Sequence, residues 1–205
     1  MPRARRDSAF LNIPYDRQRQ GSFLAYLAGL ASFGLNTRAT LELTGGERRL
    51  DRIYELIGSC RYSFHDLSRV QLDRRPPATP RFNMPFELGL VVGWQKAAPS
   101  GHIWFVFESV PHRLQKSLSD LNGTDPFIDS GTIDGVLREI RNALARRGEL
   151  PTASQMRQVF DDLGSAASEI KRRAGARSLF EARVFTELVV AARRSAERVI
   201  PGLAH

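Results

Sequence analysis

The 205-residue sequence contains a single cysteine, Cys60, which excludes an internal disulfide bond. No run of apolar residues approaches the roughly 18 that a membrane-spanning helix needs. The basic start, residues 1–6, is followed by an apolar run, residues 9–13, that is too short for a signal peptide. We therefore expect no membrane segment and a cytoplasmic location.

Motifs for metal ions and cofactors are also lacking. His65, His102 and His112 show no metal-ligand spacing, and a single cysteine does not support a zinc site. The pair Gly45-Gly46 belongs to neither a dinucleotide-binding fingerprint nor a phosphate-binding loop. We expect no metal and no cofactor, and we expect Cys60 to be a small core residue.

Lysine is scarce, because 27 of the 30 basic residues are arginine, and the formal net charge is +8. A basic balance allows nucleic-acid binding. The charge is spread along the chain without a long basic tract, however, so we favour a solvated arginine-rich surface over a nucleic-acid interface. Arginine also binds phosphate through two parallel hydrogen bonds, which suits a small anionic ligand.

The sequence does contain a regular alternation of strand and helix patterns. Short apolar runs predict strands at 9–13, 36–43, 60–67, 102–108 and 125–129. Apolar residues at helical spacing predict helices at 22–34, 50–58, 83–94, 114–121 and 132–144. This alternation predicts an α/β domain over residues 1–148, with a central parallel sheet of about five strands in a flavodoxin-like three-layer fold.

Residues 149–205 break this alternation and predict a C-terminal helical extension. Thr152 and Gln155 fit a capping box. Two stretches with apolar residues at helical spacing follow, at 156–170 and 180–192. Their apolar stripes must be buried, either on the α/β domain or against a second copy of the chain. The second arrangement predicts a homo-oligomer that assembles through the C-terminal helices.

Polar residues gather where the predicted strands end, which is where open parallel sheets bind ligands. Loop 68–82 and the helix start at Asn83 close the same edge. We therefore expect a cleft formed by the residues at this edge: Asn12, Tyr15 and Asp16 after the first strand, Glu42 near the end of the second, Asp66, Ser68 and Arg69 after the third, and Glu108 and Ser109 after the fourth.

Glu87 is the most informative acidic residue near this edge. Asn83 is a candidate N-cap, with Pro85 in the first turn. A capping box would place its acidic residue at Phe86, so capping does not explain Glu87. The nearby helix N-terminus favours the ionised carboxylate, and such a charge lowers the barrier to glycosidic cleavage. An ordinary acid that gains from the helix dipole is the alternative.

Two segments resemble the central motif of TIR-like and nucleoside 2-deoxyribosyltransferase-like bacterial domains. They are Phe64-His65-Asp66-Leu67-Ser68-Arg69 and Arg81-Phe82-Asn83-Met84-Pro85-Phe86-Glu87-Leu88-Gly89. The opening Phe10-Leu11-Asn12-Ile13-Pro14-Tyr15-Asp16 is similar to their first strand and loop. The resemblance covers roughly residues 9–144. It implies a flavodoxin-like fold and attack on the N-glycosidic bond of NAD or of a nucleoside.

The resemblance also implies roles for individual residues. Glu87 would be the catalytic carboxylate, and Asp66 would orient the ribose or assist the nucleophile. The substrate-binding residues implied in this way are Asn12, Tyr15, Asp16, Ser68, Arg69, Arg81 and Asn83, with Arg69 or Arg81 near phosphates.

Three functions stay open at this point. The first is an NAD hydrolase, which could serve as a bacterial stress or anti-phage effector. The second is a nucleoside 2-deoxyribosyltransferase or hydrolase. The third is a nucleotide-sensing or protein-interaction module without catalysis. NAD would be a substrate here and not a cofactor.

Overall fold

The structure is a computed structural model that describes residues 5–42, 49–70, 72–73, 79–97, 101–146 and 150–203. The strands in these ranges are β1 (Arg5–Asn12), β2 (Asn36–Arg38), β3 (Cys60–Asp66), β4 (Leu72–Asp73), β5 (Thr79–Pro80), β6 (Ile103–Glu108) and β7 (Phe127–Ile128). The helices are α1 (Gln20–Ala31), α2 (Arg49–Gly58), α3 (Asn83–Ala97), α4 (Arg113–Ser117), α5 (Ile133–Ala143), α6 (Ala153–Arg173) and α7 (Ala182–Val199).

Five strands form one sheet in which every pair is parallel, in the order β2-β1-β3-β6-β7. β4 and β5 form a separate antiparallel pair. Numbered along the chain, the five sheet strands follow the order 2-1-3-4-5, which is that of flavodoxin-like folds. The predicted fold class is therefore confirmed.

The alternation of side chains along each strand divides the core into two sides. On β1, Ala9 and Leu11 belong to the cluster that contains α1, whereas Phe10 packs with residues of α2 and α3. The α1 side also carries α5, and the opposite side carries α2 and α3. The sheet thus forms the middle layer of three.

The C-terminal helices α6 and α7 pack on α1 and share its hydrophobic cluster. Apolar side chains from both stripes are buried there, among them Met156, Leu163, Phe185 and Leu188. Of the two arrangements left open by the sequence, the structure has the first, packing on the α/β domain. The stripes that motivated the predicted homo-oligomer are covered within one chain.

The capping box predicted at the start of α6 is present. The Gln155 backbone N–H donates to Thr152 Oγ1 at 3.2 Å, and the Thr152 backbone N–H donates to Gln155 Oε1 at 2.8 Å. These two bonds satisfy backbone donors that a helix start would otherwise leave unpaired. They fix where the C-terminal helical pair begins.

Helix α1 is buried on all sides, because it lies between the sheet and the helices α5, α6 and α7. Every residue from Ser22 to Ala31 is buried. Gly29 permits the close approach of α5, since an added Cβ would lie 2.7 Å from Ile140 Cδ1. Although α1 is apolar throughout, it has only 12 residues, and none of the described helices is long and apolar enough to cross a membrane.

Strand lengths differ from those predicted. β1 begins at Arg5, four residues earlier than expected. β2 ends at Arg38, because the chain then turns into a 3₁₀ helix, Thr40–Glu42, in which Glu42 accepts hydrogen bonds from the Ala39 N–H and from Arg38 Nε. The predicted end of that strand at Leu43 and the turn at Gly45-Gly46 lie outside the described residues.

Candidate functional site

A cavity of about 800 Å³ opens at the carboxyl end of β1, beside the start of α3. β1 lies between β2 and β3, where the chain crosses from one side of the sheet to the other. This switch point is where open parallel sheets bind ligands. The described lining consists of Asn12, Ile13, Pro14, Tyr15, Thr40, Arg49, Thr79, Pro80, Arg81, Phe82, Asn83, Met84 and Glu87.

Glu87 reaches this cavity from the buried side of α3. The helix begins one residue earlier than the predicted cap implies, because the Phe86 N–H donates to the Phe82 carbonyl at 2.9 Å and Asn83 is already helical. The buried residues of α3 are Met84, Glu87, Leu88 and Val91, at the spacing of one helix face. Glu87 is thus a carboxyl group in a row where packing alone favours apolar side chains.

Burial raises the pKa of Glu87 from 4.5 to about 7, and the positive charge of Arg49 only partly opposes this rise. The helix N-terminus, which favours the ionised carboxylate, does not prevent this rise. Loss of water around the carboxylate outweighs the favourable charges. Near neutral pH, both protonation states are populated.

The side chain of Asn12 connects the end of β1 to β3 and to α3. Its Nδ2 donates to the Met84 carbonyl at 2.9 Å and lies 3.0 Å from His65 Nδ1. Asn12 and His65 are register partners on adjacent strands, so their side chains point to the same side of the sheet. The Asn12 amide is consequently held from two directions at the floor of the cavity.

Tyr15 lies on the α1 side of the cavity wall. Its hydroxyl lies 3.2 Å from Thr40 Oγ1, and its ring packs on Phe180, with ring centroids 5.6 Å apart. Burial raises the pKa of Tyr15 above its ordinary value of 10. The phenol is therefore protonated and is a poor proton donor at neutral pH.

Three predicted residues form an ion-pair group at the cavity rim. Asp16 Oδ2 lies 3.1 Å from Arg81 Nη1 and 3.6 Å from Arg69 Nη2. Arg69 also donates to Gln18 Oε1 at 3.0 Å. Of the three, Arg81 is among the described residues that line the cavity, whereas Asp16 and Arg69 are not. The predicted phosphate-binding role thus fits Arg81 better than Arg69.

Asp66 does not share the cavity with Glu87, contrary to the prediction. It is fully buried, its Oδ2 forms an ion pair with Arg19 Nη2 at 2.7 Å, and its Oδ1 accepts from the Ser68 N–H at 2.8 Å. The cause is strand alternation, because His65 points to the α3 side and the next residue must point to the α1 side. Ser68 is buried beside Asp66 and does not line the cavity either.

Asp66 instead belongs to a group of buried acidic residues at the carboxyl ends of the sheet strands. Glu108 and Asp129 end the neighbouring strands and are also fully buried. Arg113 forms an ion pair with Glu108, and the Gly131 N–H donates to Asp129 Oδ1 at 2.7 Å. Burial raises the pKa of Glu108, and that of Asp129 to about 6. The Asp66–Arg19 pair connects the end of β3 to the start of α1, and the Glu108–Arg113 pair connects the end of β6 to α4.

The sequence did not single out Arg49, Thr40 or Phe82 as lining residues, although Phe82 ends the loop 68–82 that was expected to close this edge. Arg49 begins α2, and Thr40 follows β2, so the strand-end rule could have selected Thr40. Phe82 is 64% exposed at the mouth of the cavity, and no local pattern separates such a ring from a core phenylalanine. The cavity lining brings together five of the residues that the sequence had selected: Asn12, Tyr15, Arg81, Asn83 and Glu87.

Among the described residues, the lining supplies one carboxyl group, two guanidinium groups, amides, hydroxyls and exposed aromatic surface. This set suits a ligand with negative charge, hydrogen-bonding groups and a flat ring. Within the described ranges, no three histidine, cysteine or acidic side chains are arranged to hold a metal ion. No protein-family model, curated protein or solved structure matches the chain, so the resemblance noted in the sequence stays a prediction.

Proposed function

We propose that this chain cleaves the N-glycosidic bond of NAD or a related nucleotide, with Glu87 as the catalytic carboxylate. One observation carries the proposal. Glu87 is only 9% exposed, lines the cavity, and makes no hydrogen bond or ion pair with any described residue. A buried, unpaired carboxyl costs stability. Such groups with shifted pKa values concentrate at functional sites.

In the proposed reaction, the bond between the ribose C1′ and the pyridinium nitrogen breaks. Nicotinamide leaves as a neutral molecule with the bonding electron pair. The ribosyl group gains oxocarbenium character, and ionised Glu87 stabilises this positive charge. Water then adds to C1′ and releases a proton to solvent.

The presence of a single carboxyl in the described lining favours a pyridinium substrate over an ordinary nucleoside. A neutral purine or pyrimidine leaves readily only when an acid protonates it. Nicotinamide needs no such proton. Tyr15 cannot easily replace the missing acid, since burial raises the pKa of its phenol. The deoxyribosyltransferase alternative therefore has less support than NAD cleavage.

Recognition of the remaining nucleotide would use the cavity walls. Arg49 and Arg81 bring positive charge to the lining, as a pyrophosphate requires. Phe82 offers an exposed ring on which a base can stack. The volume of about 800 Å³ lies in the range of small-molecule sites.

The test is nicotinamide release from NAD by the purified full-length chain, measured over a range of protein concentrations. We expect Glu87→Gln to lower the rate by about 100-fold or more, because the amide cannot stabilise the oxocarbenium charge. Glu55→Gln is the matched control, since Glu55 is an exposed acid on α2. Its rate should equal that of the unmodified chain.

Other outcomes would replace the proposal. An unchanged rate in Glu87→Gln would remove Glu87 from the chemistry. Base exchange between nucleosides without loss of NAD would identify a transferase. Thermal stabilisation by NAD without turnover at any protein concentration would identify a sensing module.

A further inference from the structure

A series of hydrogen bonds runs along the α3 side of the sheet, starting beneath the cavity. It begins at Asn12, whose Nδ2 lies 2.9 Å from the Met84 carbonyl oxygen and 3.0 Å from His65 Nδ1. On the other side of the same ring, His65 Nε2 lies 3.0 Å from Ser63 Oγ. These groups are almost entirely removed from water: Asn12 is 3% exposed, and Ser63 and His65 are fully buried.

The series of hydrogen bonds continues from Ser63 to His102, the residue directly before β6. Ser63 Oγ lies 3.0 Å from His102 Nε2, and His102 Nδ1 lies 2.9 Å from the Cys60 carbonyl oxygen. His102 is also buried. The series therefore starts and ends at backbone carbonyls, which can only accept hydrogen bonds.

These two carbonyls fix the direction of every bond between them. The Met84 carbonyl requires an N–H from Asn12, so the nitrogen of that amide faces it. The same nitrogen then donates its second hydrogen to His65 Nδ1, which must be unprotonated. The ring proton of His65 therefore lies on Nε2 and is donated to Ser63 Oγ.

The hydrogen bond to the Cys60 carbonyl, at the other end, requires the same order of donors and acceptors. The Cys60 carbonyl needs a proton on His102 Nδ1, which leaves Nε2 of a neutral ring as an acceptor. The Ser63 hydroxyl donates to it and is free to accept from His65. Burial lowers the pKa of His102, and that of His65 to about 3, so one proton on each ring is expected at neutral pH.

We propose that this relay, formed by His65, Ser63 and His102, holds the Asn12 side chain so that its carbonyl oxygen faces the cavity. Both amide hydrogens of Asn12 are used inside the protein. Oδ1 is the one polar atom that the side chain can still offer, and Asn12 lines the cavity. Asn12 is thus a hydrogen-bond acceptor, and the ligand must present an O–H or N–H there.

This assignment adds selectivity to the site. If the proposed function holds, the donor is a ribose hydroxyl or the carboxamide N–H of NAD. A ligand with only acceptors at that position would face Asn12 Oδ1 with like partial charge and would leave it unpaired. His65 and Ser63 act on the ligand only through Asn12, so they are positioning residues.

The decisive experiment needs no ligand. The chain is labelled with ¹⁵N-histidine, and the ring tautomers are read at neutral pH from long-range ¹H–¹⁵N correlations. We expect the proton of His65 on Nε2 and that of His102 on Nδ1. Asn12→Asp identifies the His65 signal, because a carboxylate facing Nδ1 makes that ring take up a second proton. A His65 proton on Nδ1 in the unmodified chain would mean that the amide oxygen faces the ring, and would overturn the proposal.

Ser63→Ala tests the effect of the relay on the ligand, with NAD as the probe. We expect the KM for NAD to rise by about 3- to 10-fold, as loss of one positioned hydrogen bond implies, with a smaller change in kcat. Ser195→Ala is the matched control, because Ser195 is a buried serine that donates to Asp162 in the C-terminal helices. Unchanged KM and unchanged His65 signals in Ser63→Ala would contradict a positioning role. If NAD is not turned over at all, the proposed function fails, while the tautomers still decide the orientation of Asn12.

Discussion

Glu87 and Asp66 are both buried acids, but their surroundings differ. Asp66 has a guanidinium on one oxygen and a backbone N–H on the other. Glu87 has neither, and burial raises its pKa to about 7. A satisfied carboxylate holds secondary structure elements together, whereas an unsatisfied one keeps lone pairs for a ligand. The contrast separates a structural acid from a candidate catalytic one.

Glu87 should make the protein less stable as the pH rises. Its folded pKa of about 7 lies above the ordinary 4.5, so folding retains a proton that the unfolded chain releases. This contribution is fully present below about pH 4.5 and is lost as the pH passes 7. Glu87→Gln removes the dependence. We expect it to gain up to about 3 kcal/mol over the unmodified chain between about pH 4.5 and pH 8.

Urea unfolding of both chains across this pH range measures the difference. Glu55→Gln should follow the unmodified chain at every pH, because Glu55 is exposed. Parallel curves for Glu87→Gln and the unmodified chain would show that Glu87 has an ordinary pKa. The measurement requires no substrate and is therefore independent of the proposed reaction.

Part of the site follows from sequence alone. The rule that ligands bind beyond strand ends selects Asn12 and Tyr15, and the helix after β3 brings Glu87. The same rule selected Asp66, which faces the other way. Alternation within β3 separates His65 from Asp66 with certainty, but which of the two faces the cavity depends on the face that α3 covers. That is a property of the assembled sheet and not of any short segment.

The C-terminal helices were predicted more closely than the short strands. Periodicity identified α6 and α7 and the capping box at Thr152, because these are local features. The sequence did not predict which surface these apolar stripes pack against, because an amphipathic face shows only that it must be covered. The strands β2 and β7 are shorter than predicted, because local turns end them: Glu42 accepts from the Ala39 N–H after β2, and Asp129 accepts from the Gly131 N–H after β7.

Leu188 tests the contact between α7 and the rest of the core. It is fully buried on α7, whereas Val190, two residues away, is 44% exposed. Leu188→Ala should cost about 2–5 kcal/mol of unfolding free energy, through lost burial and a residual cavity. Val190→Ala is the matched control and should change it by less than about 0.5 kcal/mol. Equal losses in urea unfolding would show that α7 is not packed as described.

The two sides of the central sheet are covered to different depths by helices. The α1 side carries α5 and then α6 and α7, and these elements share one hydrophobic cluster. Of the described helices, the other side carries α2, α3 and the short α4, in two smaller clusters. The Glu87 cavity opens on this thinner side, where Asn12, Met84 and the start of α3 meet. The candidate site thus lies on the side of the sheet that fewer helices cover.

Residues 1–148 alone should not form a stable α/β domain. Removal of α6 and α7 would uncover the face of α1 on which both helices pack. We expect this fragment to aggregate or to unfold without a cooperative urea transition, because the apolar surface of α1 would be exposed to water. Circular dichroism and gel filtration of the fragment and of the full chain provide the comparison. A monomeric fragment as stable as the full chain would make the C-terminal helices an independent appendage.

The fully enclosed position of α1 has a consequence for synthesis. On the ribosome, α1 and the first strand emerge long before α7, so the apolar surface of α1 waits for more than a hundred residues before its last cover arrives. During that interval, the nascent chain exposes an apolar helix to water. A chaperone that shields such helices should therefore matter more for the yield of this protein than for one whose core closes in order of translation.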